Sequence, residues 1–421
     1  MSQLKDLIGI GIGPFNLSLA ALSSGVQQLH TSFFEQKAQF EWHSELFYPD
    51  ATMQTTYLKD LVTPVDPTNP YSFLNYLVKR RCFYAFLNTN RKTISRQEFE
   101  DYCRWVSQRL SNVHFGEGVR EVTYDDKGFH VRLDSGSYRA QNICIGTGLK
   151  PHIPDAAKGW MGPTCFHAKS RFNREADLRD KRVVVIGGGQ TGAEVFLNSL
   201  CGRSGEVKSL RWISRRLNLE ALDESAFAND YFTPHYVNEF FSLPPLQKER
   251  IVGLQKMTSD GITPAYLEEI YRQLYLKNHV QQSTTPSEVL TGREMVTIDR
   301  LGDEYRIVVK NHVRDLEEEY FADVVILATG FKNNLPECME PLLARLKFND
   351  QGRPHLSQDF HMAWDGPESS KIYAVNFGRL THGIAEAQTS LMAWRSATIL
   401  NDLLGREHFA FKDSGAAFLT H

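Results

Sequence analysis

The 421-residue sequence lacks several features that would direct it to a membrane or to nucleic acid. Its net charge of −3 provides no basic field for a polyanionic partner. No uninterrupted apolar run approaches the roughly 20 residues that a membrane-spanning helix needs. The N-terminus has neither the basic region nor the small-residue cleavage site of a secretory signal. We therefore expect a cytoplasmic protein with no nucleic-acid partner and no membrane partner.

The cysteines are few and show no functional spacing. None of the six forms a C-x-x-C pair or a metal-ligand pattern, so the sequence predicts no metal site. The same absence excludes the redox cysteine pair of a flavin disulfide reductase, and buried free thiols are the simplest interpretation. With 42% hydrophobic and 23% charged residues the chain is globular in composition, and its length predicts two or three domains.

A glycine-rich turn follows the first apolar strand pattern. It contains Gly9, Gly11 and Gly13, and Pro14 follows where a helix would begin. Proline suits that position because its missing N–H would have no helical partner there. Glu35 ends the next strand pattern, and an acidic residue at this point hydrogen-bonds the ribose of a dinucleotide without a 2′-phosphate. These residues predict an FAD site.

The same signature occurs a second time, with the opposite charge at its end. Arg215 and Arg216 stand where the second strand of this unit should end, and arginine there suits a 2′-phosphate. We therefore expect NADPH at this turn. Its residues are Gly187, Gly188, Gly189, Gln190, Thr191 and Gly192.

Strand and helix patterns alternate around both signatures. We expect residues 1–170 and 320–421 to form a discontinuous FAD-binding domain, with an NADPH-binding domain at 171–319 inserted in it. The insert includes a helical substrate-pocket segment at about 218–280, and the apolar strand at 324–328 should return to the first sheet. The predicted class is α/β, with two Rossmann-like dinucleotide-binding domains and a small helical substrate region.

Several motifs together resemble the flavin-dependent N-hydroxylating monooxygenases of siderophore biosynthesis, which act on lysine, ornithine or diamines. These motifs are residues 9–17 (GIGIGPFNL), 42–43 (WH), 53–54 (MQ), 58–61 (LKDL), 70–77 (PYSFLNYL), Asp323 with 327–331 (LATGF), and 382–383 (HG). The resemblance extends from residue 5 to about residue 404 and is greatest to the lysine and diamine branch.

The resemblance implies the chemistry and further site residues. NADPH would reduce FAD, O₂ would add to give a C4a-hydroperoxyflavin, and the oxygen would pass to a primary amine. Further FAD contacts implied are Lys37, Trp42, His43, Gln54, Val119, Gly330, Thr389, Ser390 and Leu391. Implied substrate contacts are Lys59, Asn229, Asp230 and Asp260. The reacting amine must be neutral, although a free alkylamine has a pKa of about 10.4, so we expect the pocket around Asn229 to desolvate it.

Different features of the sequence favour different substrates. Whole-chain resemblance favours cadaverine, with L-lysine and putrescine as alternatives. The charge of Lys59 favours a substrate carboxylate and hence lysine, unless Asp60, Asp230 or Asp260 compensates a second ammonium. The ornithine branch has an Asn-Tyr-Ser segment where this chain has residues 258–262 (TSDGI), which argues against ornithine. Another NADPH-dependent flavin monooxygenase is a more distant alternative, and a homo-oligomer stays open.

Overall fold

The computed structural model describes residues 4–410. The strands are, in chain order, β1 (Lys5–Ile10), β2 (Thr31–Glu35), β3 (Val113–Phe115), β4 (Val119–Asp125), β5 (Gly128–Leu133), β6 (Ser137–Ile145), β7 (Lys150–Pro151), β8 (Cys165–His167), β9 (Arg182–Ile186), β10 (Ser209–Ser214), β11 (Ser287–Thr291), β12 (Arg293–Leu301), β13 (Glu304–Asn311), β14 (Leu316–Ala322), β15 (Val324–Leu327), β16 (Phe331–Lys332) and β17 (Ile372–Ala374).

The α-helices are α1 (Pro14–Ser23), α2 (Phe73–Lys79), α3 (Phe83–Leu87), α4 (Arg96–Ser107), α5 (Arg171–Glu175), α6 (Gln190–Leu200), α7 (Pro234–Ser242), α8 (Pro245–Leu254), α9 (Lys256–Ser259), α10 (Pro264–Tyr275), α11 (Arg379–His382) and α12 (Met392–Leu404). The 3₁₀ segments are Ser44–Leu46, Asp155–Trp160, Ala228–Phe232, Glu337–Arg345, Ile384–Ala387 and Thr389–Leu391, and a π turn covers Leu276–Val280. Between residues 4 and 410, no helix combines the length and apolar character needed to span a membrane.

The first sheet joins the N-terminal part of the chain to a strand near its C-terminus. Its order is β3-β2-β1-β6-β5-β4, and β17 pairs with β6 as well. The strands β1, β2, β3 and β17 run parallel to their neighbours, whereas β4, β5 and β6 form an antiparallel meander. Helix α1 packs against α12. Sequence-distant segments therefore meet around the first glycine turn.

The second sheet is entirely parallel, with the order β11-β10-β9-β15-β8. Strand β15 pairs with β9 and β8 here, so the expectation that this strand returns to the first sheet is wrong; β17 is the strand that returns. An apolar run closed by glycine is typical of any buried parallel strand and does not identify its sheet. Asp323 fixes the start of β15 by accepting hydrogen bonds from the backbone N–H of Arg182 at 2.7 Å and from its guanidinium at 2.5 Å.

The predicted boundaries at 170 and 320 need the same correction. Strands β8 and β15 lie outside the predicted insert at 171–319 and yet belong to the second sheet. The chain crosses between the sheets at β7 and β16, which pair antiparallel with Phe331 opposite Pro151. Residues 1–3 and 411–421 of the predicted first domain lie outside the described residues. We call the part around the first sheet the first unit and the part around the second sheet the second unit.

Two additions complete the second unit and its contact with the first. The antiparallel sheet β12-β13-β14 buries Tyr305 and Ile307 in one cluster with strands of the second sheet. The helical segment expected to belong to the second domain is divided. Phe240 of α7 is buried in the core of the first unit, whereas Tyr266 and Ile270 of α10 are buried in the core of the second. The segment therefore bridges the two units.

Candidate active site

The first glycine turn leaves a helix N-terminus open to a ligand. Gly11 has a φ of +82°, and a side-chain carbon there would lie 3.0 Å from the carbonyl oxygen of Gly146, which together favour glycine. Gly13 is the N-cap of α1, and no side chain caps this helix. The buried Asn16 holds the turn by donating to the carbonyl of Gly11 at 2.8 Å. Free N–H groups at a helix N-terminus suit a pyrophosphate.

Glu35 points into this turn from the end of β2. One carboxylate oxygen accepts from the backbone N–H of Ile12 at 2.9 Å, and the other accepts from the N–H of Lys37 at 3.0 Å. An ionised carboxylate has about four acceptor sites, so capacity remains for a ribose hydroxyl. Lys37 is exposed, and its ammonium donates to the carbonyl of Glu41 at 3.3 Å. Val119 begins β4 two residues after Glu117, whose N–H donates to the Glu35 carbonyl at 2.8 Å.

Trp42 and His43 form an aromatic pair in the loop that follows β2. Their ring centroids lie 4.7 Å apart, and the backbone N–H of Trp42 donates to the Glu100 carboxylate at 2.7 Å. His43 has a φ of +56°, and its Nδ1 is buried without a hydrogen-bond partner. Burial, reinforced by the charges of Lys169 and Arg96, holds the His43 pKa well below its usual value. A buried ring nitrogen without a partner is an atom that a ligand hydrogen bond would satisfy.

The remaining predicted FAD residues come from three separate segments. Thr389, Ser390 and Leu391 form the 3₁₀ turn before α12, and the Ser390 hydroxyl is buried without a partner. Gly330 has a φ of +82°, and its carbonyl oxygen lies 3.1 Å from the ring of His167. Gln54 is exposed beside Met53, which lines a small pocket that also includes Lys59.

The second glycine turn packs closely against the end of β15. Gly187 has a φ of +132°, and a side-chain carbon there would lie 2.1 Å from the carbonyl oxygen of Ala328. The indole N–H of Trp212 donates to the Gly187 carbonyl at 2.7 Å. Gly189 is the N-cap of α6, again without a side-chain cap, and its surroundings are open. The open helix N-terminus suits a second pyrophosphate.

The other residues of this turn are already engaged in the protein. Side chains at Gly188 and Gly192 would collide with Ser214 and with the Gly187 carbonyl. Gln190 donates to Glu194 at 2.9 Å and accepts from the backbone N–H of Thr263 at 2.8 Å, while Thr191 is half-buried. The Gln190 side chain therefore connects the turn to its surroundings.

The two arginines at the end of β10 differ in availability. The Arg215 side chain is 76% exposed, and its nearest acid is Glu294 at 3.8 Å. Arg216 is 24% exposed, lies 3.9 Å from Glu220 and donates to the carbonyl of Asp260 at 3.3 Å. Arg215 is thus the arginine free to meet a 2′-phosphate, whereas Arg216 contacts the helical segment.

Lys59 meets the Ala228–Phe232 turn although the two are far apart in sequence. Its ammonium donates to the carbonyl of Phe232 at 3.3 Å, and burial lowers its pKa. Asn229, on the same turn, is exposed, and its amide donates to the carbonyl of Ser225 at 3.1 Å. The protein contacts alone do not desolvate Asn229, and the desolvating pocket around it stays a prediction. A polar 3₁₀ turn followed by the proline of α7 keeps this residue at the surface.

Asp60 and Asp260, two of the acids considered near the substrate, are engaged within the protein. Asp60 is buried and accepts hydrogen bonds from the backbone of Val62, Thr63 and Phe73 and from the Thr63 hydroxyl. Both carboxylate oxygens of Asp260 contact the guanidinium of Arg379, at 3.2 and 3.0 Å. Asp230 is half-buried on the Ala228–Phe232 turn. Asp60 and Asp260 therefore do not offer a free carboxylate to a substrate ammonium.

Comparison with known proteins identifies the family. The model of the L-lysine 6-monooxygenase/L-ornithine 5-monooxygenase family matches residues 3–333. The chain belongs to this family. It is 44% identical to the L-lysine N6-monooxygenase of Escherichia coli over 97% of this chain and 96% of that protein. The FAD-bound cadaverine monooxygenase DfoA of Erwinia amylovora has a TM-score of 0.91 at 26% identity, covering 100% of this chain and 99% of that one. The Kutzneria sp. 744 ornithine N-hydroxylase, with reduced FAD, NADP⁺ and L-ornithine, has a TM-score of 0.88 at 26% identity, covering 96% of this chain and 99% of that one.

The family confirms the enzyme class predicted from the motifs. The protein is an N-hydroxylating flavin monooxygenase of siderophore biosynthesis that uses FAD and NADPH and has two Rossmann-type domains. The site residues fit these cofactors, because two uncapped helix N-termini lie at the two turns and the buried atoms His43 Nδ1 and Ser390 Oγ lack partners.

Two residues near the candidate site, Arg379 and Lys169, were not found from the sequence. Arg379 pairs with Asp260, and Lys169 places its ammonium 5.4 Å from the Phe331 ring centre. Lys169 has no acid within 4 Å in the part of the chain that the structure describes. Its position two residues after β8, at the edge of the sheet where nucleotides bind, is the signal that could have revealed it. Arg379 precedes the His-Gly motif but carries no spacing signal of its own.

Proposed function

We propose that this monooxygenase hydroxylates the side-chain amine of L-lysine. The observation that carries the proposal is the half-buried ammonium of Lys59, held at the carbonyl of Phe232, with Asp60 and Asp260 both engaged elsewhere. The 44% identity to the Escherichia coli L-lysine N6-monooxygenase supports the same substrate. The six free cysteines support the expected cytoplasmic location, because disulfides persist mainly in oxidising compartments.

The electrostatic reasoning favours an amino acid over a diamine. The α-carboxylate of lysine would be attracted by Lys59, whereas the second ammonium of a diamine would be repelled. At about 4 Å such an interaction is worth about 1 kcal/mol in water and about 4 kcal/mol at the effective dielectric constant near a protein surface. Because Asp60 and Asp260 are engaged within the protein, we favour lysine over cadaverine.

The roles proposed for the site residues follow their positions. When bound, FAD supplies the oxygen-activating chemistry and NADPH supplies two electrons. FAD would contact the first glycine turn and the side chains that approach it, namely Gly9, Gly11, Gly13, Pro14, Glu35, Lys37, Trp42, His43, Gln54, Val119, Gly330, Thr389, Ser390 and Leu391. NADPH would contact Gly187, Gly188, Gly189, Gln190, Thr191, Gly192, Arg215 and Arg216. Lys59, Asn229 and Asp230 would face the amine, with Asp260 orienting Arg379 beside them.

Cadaverine is the second candidate. The structural similarity to the Erwinia amylovora cadaverine monooxygenase, at a TM-score of 0.91, supports it. A diamine would need an acid near Lys59, and Asp230 is the acid on the contacting turn. Replacing Asp230 by asparagine should then weaken cadaverine turnover much more than lysine turnover.

A panel of L-lysine, cadaverine, putrescine and L-ornithine, scored for hydroxylamine product, tests the proposal. We expect the highest kcat/KM with lysine. Lys59→Met should raise the KM for lysine by roughly 10- to 100-fold, the usual cost of losing a charged hydrogen bond, and should leave the KM for cadaverine unchanged or lower. The matched control is Lys79→Met, on the exposed end of α2. A wild-type preference for cadaverine would overturn the lysine proposal.

A further inference from the structure

One ion pair between the two units is buried. The guanidinium of Arg96, in the first unit, makes two parallel contacts of 2.7 and 2.6 Å with the carboxylate of Glu194 in the second. Their side chains are 15% and 0% exposed. A second inter-unit pair, Arg203 with Asp50, is closed at 2.7 Å but is 32% and 46% exposed. The Arg96–Glu194 pair is therefore bidentate and shielded from water. Its two parallel charged hydrogen bonds define the relative orientation of the two side chains.

Arg96 is fixed on the flavin side of the interface. It is the first residue of α4, whose start is held by the capping box of Ser95 and Glu98. Its backbone N–H donates to the carbonyl of Ala51 at 2.9 Å, and Ser95 forms a bridge with Thr52. The segment of residues 51–59 includes Gln54 and Lys59. Arg96 therefore moves with the segment that carries predicted cofactor and substrate contacts.

Glu194 is fixed on the NADPH side. It lies one turn into α6, and its Oε1 accepts a second hydrogen bond from Gln190 at 2.9 Å. Gln190, the first residue of that helix, also accepts from the N–H of Thr263 just before α10. The contacts run without interruption from α4, through the second glycine turn, to the helical segment.

A buried ion pair of this kind restricts the relative position of the two units more than it adds to the free energy of folding. Burying two charges costs about as much as their attraction returns, so a buried pair adds little to folding but strongly disfavours structures that break it. Reduction of FAD by NADPH is a hydride transfer, which would need the nicotinamide close to the flavin. An error of about 1 Å in such a position can cost about 100-fold in rate. A shielded bidentate contact beside the second glycine turn is suited to prevent that error.

We propose that Arg96 and Glu194 are positioning residues that set the distance between the NADPH turn and the flavin site, and so control the rate at which NADPH reduces FAD. Neither residue needs to contact a reacting atom. The effect is transmitted through Gln190 on one side and through residues 51–59 on the other. The proposal depends on the two cofactors and is independent of which amine is hydroxylated.

The test is anaerobic stopped-flow reduction of the FAD-loaded enzyme over a range of NADPH concentrations, without amine. Arg96→Lys keeps the charge and loses the fork. The double variant R96M/E194Q removes both charges, so no buried charge is left unpaired. We expect the rate constant at saturating NADPH to fall about tenfold in R96K and further in R96M/E194Q. The Kd for NADPH, the FAD absorbance spectrum and full reduction by dithionite should stay as in the wild type.

Arg203→Met is the matched control, because it removes the exposed pair at the same interface, and its rate constant should stay within about twofold of wild type. Wild-type saturating rates in either R96K or R96M/E194Q would overturn the proposal, as would equal slowing in R203M. Loss of FAD from both Arg96 variants would assign the pair a purely structural role and would also count against it.

Discussion

The two dinucleotide-binding units share a strand, a glycine turn and a helix, but they differ in how their terminal charges are used. Glu35 is held in the first turn by the backbone N–H groups of Ile12 and Lys37. Arg215 projects into solvent at 76% exposure. The first unit therefore presents a charge already fixed for its ligand, and the second presents one that a ligand must order. This difference fits a resident FAD and an exchanging NADPH, and the following experiments can break or sharpen it.

The largest expected effect concerns the packing of the second turn. Gly187→Ala should lower the free energy of unfolding by about 3 kcal/mol, because alanine at a φ of +132° is strained and its side chain would meet the Ala328 carbonyl. Gly189→Ala, at a φ of −110° with open surroundings, should change it by less than about 1 kcal/mol. Urea unfolding measures both. Equal losses would show that the close approach to Ala328 does not limit this position.

The second prediction separates the two terminal charges. Arg215→Ala should weaken NADPH binding by roughly 10- to 100-fold, because a charged hydrogen bond to phosphate is lost, and should leave NADH binding and FAD content unchanged. Glu35→Gln should do the reverse, loosening FAD about tenfold with little change in NADPH affinity. Equilibrium titration of each nucleotide provides the measurement. If Arg216→Ala abolishes the preference for NADPH and R215A does not, the assignment based on exposure is wrong.

The third prediction is a sensitivity to acid shared by both units. Burial lowers the pKa of His382 in the first unit to about 3 and that of His167 in the second to about 4. The unfolded chain binds these protons near pH 6.5, so between that pH and the folded values the unfolded state holds more protons and stability falls as pH falls. Each histidine should contribute about 1.4 kcal/mol of lost stability per pH unit well below pH 6.5.

Unfolding free energies measured from pH 7 to pH 5 check this slope. His167→Gln and His382→Gln should each reduce the slope of the unfolding free energy against pH by about 1.4 kcal/mol per pH unit well below pH 6.5. This reduction is expected whatever the substitution does to stability at pH 7. A slope that neither buried variant alters would contradict the prediction.

The smallest expected effect concerns the ion pair that fastens the second sheet. The hydrogen bonds from Arg182 lower the pKa of Asp323, so its stabilisation is present above the usual carboxyl pKa and is lost as pH falls through the lowered value. Asp323→Asn should cost about 1 kcal/mol at pH 7, allowing for partial exposure. Asp134→Asn, which breaks the exposed Arg120 pair in the first sheet, should leave urea unfolding unchanged. A similar loss in both would remove this distinction between the sheets.

The glycine turns and the charges that follow them were predictable because their chemistry is local. A strand, a tight turn and a helix N-terminus occupy one continuous stretch of chain, so the residue types alone predict a dinucleotide. The capping box of Ser95 and Glu98 is local in the same sense, because its two residues are three apart in the sequence. The motifs around residues 9–17 and 327–331 further identified the enzyme class, which the family confirms.

The tertiary structure alone decided which distant groups meet. Strand β15 joins the second sheet, and the helical segment is divided between two cores, because apolar strands and helix faces bury against any complementary surface. The pairing of Asp260 with Arg379, the approach of Lys59 to Phe232 and the Arg96–Glu194 contact depend on segments far apart in sequence. The sequence by itself therefore determined the two cofactors and the class of reaction. The engagement of Asp260 was decided by the fold, because its partner Arg379 lies 119 residues away in the sequence.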